Sequence, residues 1–166
     1  MRDTRRSPIV AAILRHIAEL ARSRPHEVFT SLCRYIDSEM LQHAFYLLRK
    51  DAAAGIDKRT WRQYRENVRG NLSELHHRLI SNQYQAQASR RVWLDKDDGK
   101  KRQIAIAVLQ DKIVQRAEAL MFEAVYEQDF LPCSFAFRKG KNQHQALKFL
   151  RDRCIEHKAC WMVELS

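Results

Sequence analysis

Two clusters of cations carry most of the chemistry that this sequence offers. From Arg90 to Arg102 the chain reads Arg-Arg-Val-Trp-Leu-Asp-Lys-Asp-Asp-Gly-Lys-Lys-Arg, six basic residues against three Asp, and from Arg138 to Arg153 six basic residues meet one acidic. In the first cluster Lys96 and Arg102 stand on either side of the turn-forming Asp97-Asp98-Gly99. Two cations so placed can converge on one polyphosphate, a nucleotide triphosphate or a nucleic-acid backbone. Asp95, Asp97 and Asp98 offset part of that charge, and the same residues suit a solvated hairpin end equally well. In the second cluster Phe135-Ala-Phe137 adjoins Arg138-Lys-Gly-Lys141. Aromatic rings interleaved with cations suit base stacking beside phosphate contact. Two core phenylalanines next to a solvated basic turn are the plainer alternative.

Catalytic signatures are missing from the chain. It has no P-loop, no dinucleotide glycine fingerprint, no nucleophile elbow and no H-E-x-x-H. The carboxylates do not gather either: Asp111 suits a helix cap, and Glu118 and Glu123 suit the polar face of the same helix. Cys33, Cys133, Cys154 and Cys160 include no C-x-x-C pair, and four reduced thiols in a cytoplasmic protein are expected. The adjacent His76 and His77 would point about 100° apart on a helix and share no metal. Lys and Arg number 30 and Asp and Glu 20, a net charge of +10 that makes a polyanion the default partner. No run approaches the roughly 20 apolar residues of a membrane span, and no signal-peptide core follows the start.

These residues must be held by elements, and the 166-residue chain, with 4 Gly and 3 Pro, reads as mostly helical. Ser7-Pro8 followed by Ile9, Ile13, Ile17 and Leu20 predicts a capped helix with one apolar stripe. Val28, Leu32 and Ile36, then Leu41, Ala44, Phe45 and Leu48, predict two short helices separated near Asp37-Ser38. After the break at Asp51-Ala-Ala-Ala-Gly-Ile-Asp57, Trp61, Tyr64, Val68, Leu72, Leu75 and Leu79 predict one longer helix with Gly70 as its weak point. Arg91–Lys96 and Lys100–Ala107 predict a β-hairpin. Asp111 opens a further helix through Val125, residues 130–137 form an apolar loop or short strand, and Ala146, Leu147, Leu150 and Cys154 mark a last helix. The chain closes on Cys160-Trp-Met-Val-Glu-Leu-Ser166, which reads as the start of a buried strand.

The order of several blocks is distinctive. Phe29-Thr-Ser-Leu and Met40-Leu-Gln-His-Ala-Phe45 are followed by Lys50-Asp-Ala-Ala-Ala-Gly-Ile-Asp57, then by the Arg90–Arg102 block and Leu109-Gln-Asp-Lys-Ile-Val-Gln-Arg-Ala117. Ala124-Val-Tyr-Glu-Gln-Asp-Phe130 and Ser134-Phe-Ala-Phe-Arg-Lys-Gly-Lys141 complete the series. From about Phe29 onward this resembles the amino-terminal part of group II intron-encoded reverse transcriptases, the intron maturases, and of bacterial retron-type relatives. The resemblance implies an α+β, mostly helical fold: reverse-transcriptase fingers with one hairpin and the start of a palm strand. It divides the chain into a helical extension (1–28), fingers and early palm (29–160) and a palm strand beginning at 161–166. Lys96 and Arg102 would contact the nucleotide, and Arg90, Arg91, Phe137, Arg138, Lys139 and Lys141 would contact nucleic acid.

Departures from the family pattern bear on activity. Lys58 stands where the loop of the earlier block usually has glycine, and Ala136 replaces the glycine of the later one. Arg102-Gln-Ile-Ala-Ile-Ala107 replaces R-P-L-G-I-P, so Pro and Gly no longer specify the backbone there. Ser166 stands where the resemblance implies the first metal-binding Asp, and the family's Tyr-x-Asp-Asp turn would lie further downstream. A complete member would use Mg2+; this stretch has no catalytic or metal-binding residue and needs no cofactor of its own. The expected function is that of a truncated, degenerate reverse-transcriptase or maturase fragment that binds RNA and nucleoside triphosphate. The alternative is a non-enzymatic RNA-binding or scaffolding protein derived from a polymerase. Expected partners are intron or template RNA, DNA as a second polyanion, and a palm and thumb or a second copy met through the terminal strand.

Overall fold

Pro8 sits in the first turn of helix α1 (Pro8–Ser23), where its missing N–H has no intrahelical acceptor to lose. The computed structural model describes residues 7–95, 97, 99–159, 161 and 163. Lys96 and Ser166, together with most of the expected terminal strand, lie outside the described residues. After α1 come one 3-10 turn (Leu32–Tyr35), α2 (Ser38–Leu47), α3 (Trp61–Glu66), α4 (Val68–Ile80), β1 (Arg90–Asp95), β2 (Lys101–Ile106), α5 (Leu109–Tyr126) and α6 (Gln143–Glu156). The chain forms two compact units, 1–128 and 129–166.

The core of the first unit is built on α5, whose Ile113, Val114, Ala117 and Met121 face α1 and α2. From α1 come Val10 and Ile17, so the segment read as an extension contributes to this core. From α2 come Met40, Leu41, Ala44 and Phe45. Phe45 stacks on Trp61 with ring centroids 4.8 Å apart and planes 3° from parallel. The Trp61 indole donates to the Phe45 carbonyl at 3.2 Å, pairing one of the carbonyls that end α2. Asp37 caps α2 by accepting from the Met40 amide at 2.7 Å, as its position suggested.

Local chemistry corrects three expectations. Val28–Ile36 makes a single 3-10 turn and no α-helix. Ser7 stands at the cap position of α1, but its hydroxyl donates to Glu39 at 3.4 Å and not to the helix end. The helix expected across 61–79 breaks at Asn67 and not at Gly70. Gly70 serves that break: a Cβ there would lie 2.7 Å from the Asn67 side-chain nitrogen, so glycine leaves room for Asn67 to fold over the start of α4. Buried Asn71 then donates to the Tyr64 carbonyl at 2.9 Å and accepts from Arg59 at 3.0 Å.

In the second unit α6 is started by Asn142 and Gln145 in a reciprocal capping box. Its inward contact is made by Phe149, which lies 5.6 Å from Phe135, while Leu147 and Leu150 are exposed. Of the expected apolar face Ala146 and Cys154 are half-buried, and Phe149 joins them in place of Leu147 and Leu150. Residues 130–137 form turns and no strand, and Trp161 and Val163 are exposed. Among the described residues Cys33, Cys133 and Cys154 are free, and no helix is long and apolar enough to cross a membrane.

Candidate nucleic-acid interface

The hairpin is antiparallel with a continuous register from Arg90 opposite Ile106 to Asp95 opposite Lys101. Successive side chains alternate between faces, so Arg90, Val92, Leu94, Arg102, Ile104 and Ile106 share one face. Arg91, Trp93, Asp95, Lys101, Gln103 and Ala105 share the other. Val92, Ile104 and Ile106 are half-buried, which settles the first face at its base, while Leu94 and Arg102, opposite each other near the tip, are exposed. With no proline, β2 pairs along its full length through the segment where Pro and Gly were missed.

The base of this ribbon is tied down by backbone and by charge. Gly55 packs so tightly that a Cβ would lie 2.6 Å from the Val108 Cα and 2.9 Å from the Ala107 carbonyl oxygen. This explains the glycine of the 50–57 loop: backbone must approach backbone where β2 passes into α5. Two cations then seize the loop, Arg90 donating to the Ala54 carbonyl at 3.2 Å and Lys112 to the Ala53 carbonyl at 2.7 Å. Burial lowers the Lys112 pKa, Asp57 opposes that shift, and the nearby Arg90 adds to it. Lys58, at the position where the family loop has glycine, has a positive φ of 56°, the conformation that glycine adopts without strain.

Asp111 is no cap. It lies in the first turn of α5, is 4% exposed, and accepts from the Tyr84 hydroxyl at 2.5 Å and from the Gln87 amide at 3.0 Å. It therefore pins the segment that leads into β1. Desolvation, reinforced by the Asp111 carboxylate, raises the Tyr84 pKa, so the phenol stays a donor.

The residues singled out in the sequence are accordingly divided. Arg102 is exposed at the tip, whereas Arg90 is about 14 Å away along the ribbon, four residues at roughly 3.4 Å each, and holds the loop. Arg91 is exposed on the opposite face, where it shares a side with Trp93, 55% exposed. Trp93 was missed as a stacking candidate; an aromatic residue between cations in a strand was the available signal. In the second unit Arg138 donates to the Leu131 and Ser134 carbonyls at 3.1 and 2.8 Å and lies over the Phe130 ring. It shapes the turn that presents Phe137, which is fully exposed and has a positive φ of 59°. Lys139 and Lys141 are exposed beside it, Lys141 5.5 Å from the Phe135 ring. Among the described residues no three His, Cys, Asp or Glu side chains gather where a metal ion would sit.

The chain is 29% identical over 163 residues to protein YkfC of Escherichia coli (strain K12), an alignment that takes in 94% of this chain and 43% of YkfC. It is 30% identical over 145 residues to the group II intron-encoded protein LtrA of Lactococcus lactis subsp. cremoris, covering 84% of this chain and 24% of LtrA. An uncharacterized 91 kDa protein in the cob intron of Schizosaccharomyces pombe is 34% identical over 87 residues, 52% of this chain and 10% of that protein. The chain thus spans less than half the length of these relatives. No protein-family profile matches it. The similarities support a distant relationship to group II intron-encoded proteins.

Proposed function

We propose that this chain is the fingers and early-palm portion of a group II intron-type reverse transcriptase, binding RNA along its cationic surfaces and a nucleoside triphosphate at the hairpin tip. The observation that carries this is the build of the hairpin, clamped at its base by Asp111, Arg90 and Lys112 and exposed at its tip with Arg102. A ribbon fixed at one end loses little freedom when its free cations meet an anion, so binding costs less. Similarity to an intron-encoded protein adds RNA as the natural polyanion. Arg91 and Trp93 suit a strand that stacks and is neutralised on one face of the ribbon, and Phe137 with Lys139 suits another.

The test is binding of a labelled single-stranded RNA and of a nucleoside triphosphate to the wild type and to a Lys96→Glu/Arg102→Glu variant. Loss of triphosphate binding with RNA binding retained is the expected result. Should the wild type bind RNA and no triphosphate, the non-enzymatic RNA-binding alternative takes precedence. It draws on Phe137, whose exposed ring on a strained backbone has no packing role.

A further inference from the structure

A third group of cations gathers around Trp61 in the first unit. Between Arg49 and Arg69 the chain has seven basic residues and three acidic ones. Two of the three carboxylates are engaged: Asp51 pairs with Arg49 at 3.2 Å, and Asp57 accepts from the Arg59 amide at 3.2 Å. Arg59 is itself held by Asn71 and by the Tyr64 ring. Lys50, Lys58, Arg62, Arg65 and Arg69 remain, all exposed, and none forms an ion pair among the described residues. Glu66 is the one carboxylate left among them.

Folding concentrates this charge. The Lys50 ammonium lies 5.3 Å and the Arg65 guanidinium 5.6 Å from the centroid of the same Trp61 ring. That ring cannot drift, since it is stacked on Phe45 and its N–H is bonded to the Phe45 carbonyl. An aromatic face draws cations in and so brings like charges together that would otherwise separate. Arg62 and Arg65, three residues apart, share the outer face of α3. Arg69 lies in the first turn of α4, which contains no acidic residue. A helix start favours anions and disfavours cations, so both the dipole and the arginine there call for an anion from outside. The surface is also continuous with the hairpin, because the loop after Lys50 offers its Ala53 and Ala54 carbonyls to Lys112 and Arg90.

We propose that this Trp61-centred face is a second contact surface for the phosphate backbone of the RNA engaged by the hairpin, an assignment that rests on the RNA-binding function given above. Each phosphate neutralised on a single strand contributes a salt slope of about 0.7. A variant with Arg62→Gln, Arg65→Gln and Arg69→Gln should therefore lose about 2 from the slope of log K against log salt. Glutamine keeps the helix, so the Tm should hold, and a Tm fall would be met by testing Arg62→Gln/Arg69→Gln, which leaves the Trp61 contact intact. The control removes three charges elsewhere, at Arg15, Arg24 and Arg34. The expected result is a slope loss and on the order of a tenfold weaker binding at low salt for the α3–α4 variant, well beyond the control. Equal behaviour of variant and control, with wild-type binding intact, overturns this surface and leaves the RNA-binding function standing. A wild type that binds no RNA in a salt-dependent manner overturns both.

Discussion

Tyr64 shows how burial sets residue chemistry. The Tyr64 hydroxyl is fully buried; Gln110 lies near enough to ease its ionisation, but the Gln110 carbonyl accepts from Arg78 at 2.7 Å, and geometry leaves the hydroxyl unpartnered among the described residues. Desolvation pushes the Tyr64 pKa up to about 12 from an ordinary 10.0. The folded state thus holds this proton more tightly than the unfolded one, so its contribution is fully present below pH 10 and is lost as pH rises through about 12. Stability measured by denaturant should be level up to pH 10 and fall above it, and Tyr64→Phe should make that fall shallower. An alkaline profile identical in the variant would refute the assignment. Because the hydroxyl has no partner to lose, Tyr64→Phe should also be neutral or stabilising by up to about 1 kcal/mol near pH 7.

At the scale of elements, the 50–58 loop contains two backbone demands of opposite kind. Gly55 is required by contact: alanine would place its Cβ within 2.6 Å of Val108 backbone, which cannot swing aside as a side chain would. Gly55→Ala should cost about 1–3 kcal/mol in chemical denaturation, the usual range for overpacking. Lys58, at φ 56°, is strained by its own Cβ, so Lys58→Gly should raise stability by about 1 kcal/mol. Opposite signs from two substitutions three residues apart would separate contact from conformation, and equal signs would show that the loop is not seated as described. Asp111 belongs to this scale as well. Asp111→Ala should leave Tyr84 and the Gln87 amide without their acceptor and cost about 1–3 kcal/mol, read by the same titration.

Across the whole molecule the two units differ in what protects them. The first has a core of fully buried side chains such as Ile17, Met40, Phe45 and Ile113, and among the described residues of the second none is buried. Local opening is cheapest where few apolar contacts must be broken. Hydrogen exchange should therefore be slowest in α2 and α5 and much faster in α6; equal protection of α5 and α6 would contradict that division.

By itself the sequence determined most of the elements and the excess of positive charge. Apolar spacing foretold α1, α2, α5 and α6, the Asp97-Asp98-Gly99 turn foretold the hairpin, and net charge pointed to a polyanion, because period, turn chemistry and charge are local or additive properties. The tertiary structure decided which cations are free. Arg90 and Arg102 belong to one run of basic residues, yet Arg90 is bonded to Ala54 while Arg102 is exposed. Asp111 looked like a cap because the helix start fell nearby, and only the approach of Tyr84 and Gln87 from 27 and 24 residues away makes it a clamp. Lys50 and Arg65 are likewise unrelated along the chain until Trp61 is fixed against Phe45 of α2. Hydrogen bonds and cation–ring contacts act over a few ångströms, and which residues come that close is settled by the packing of the core.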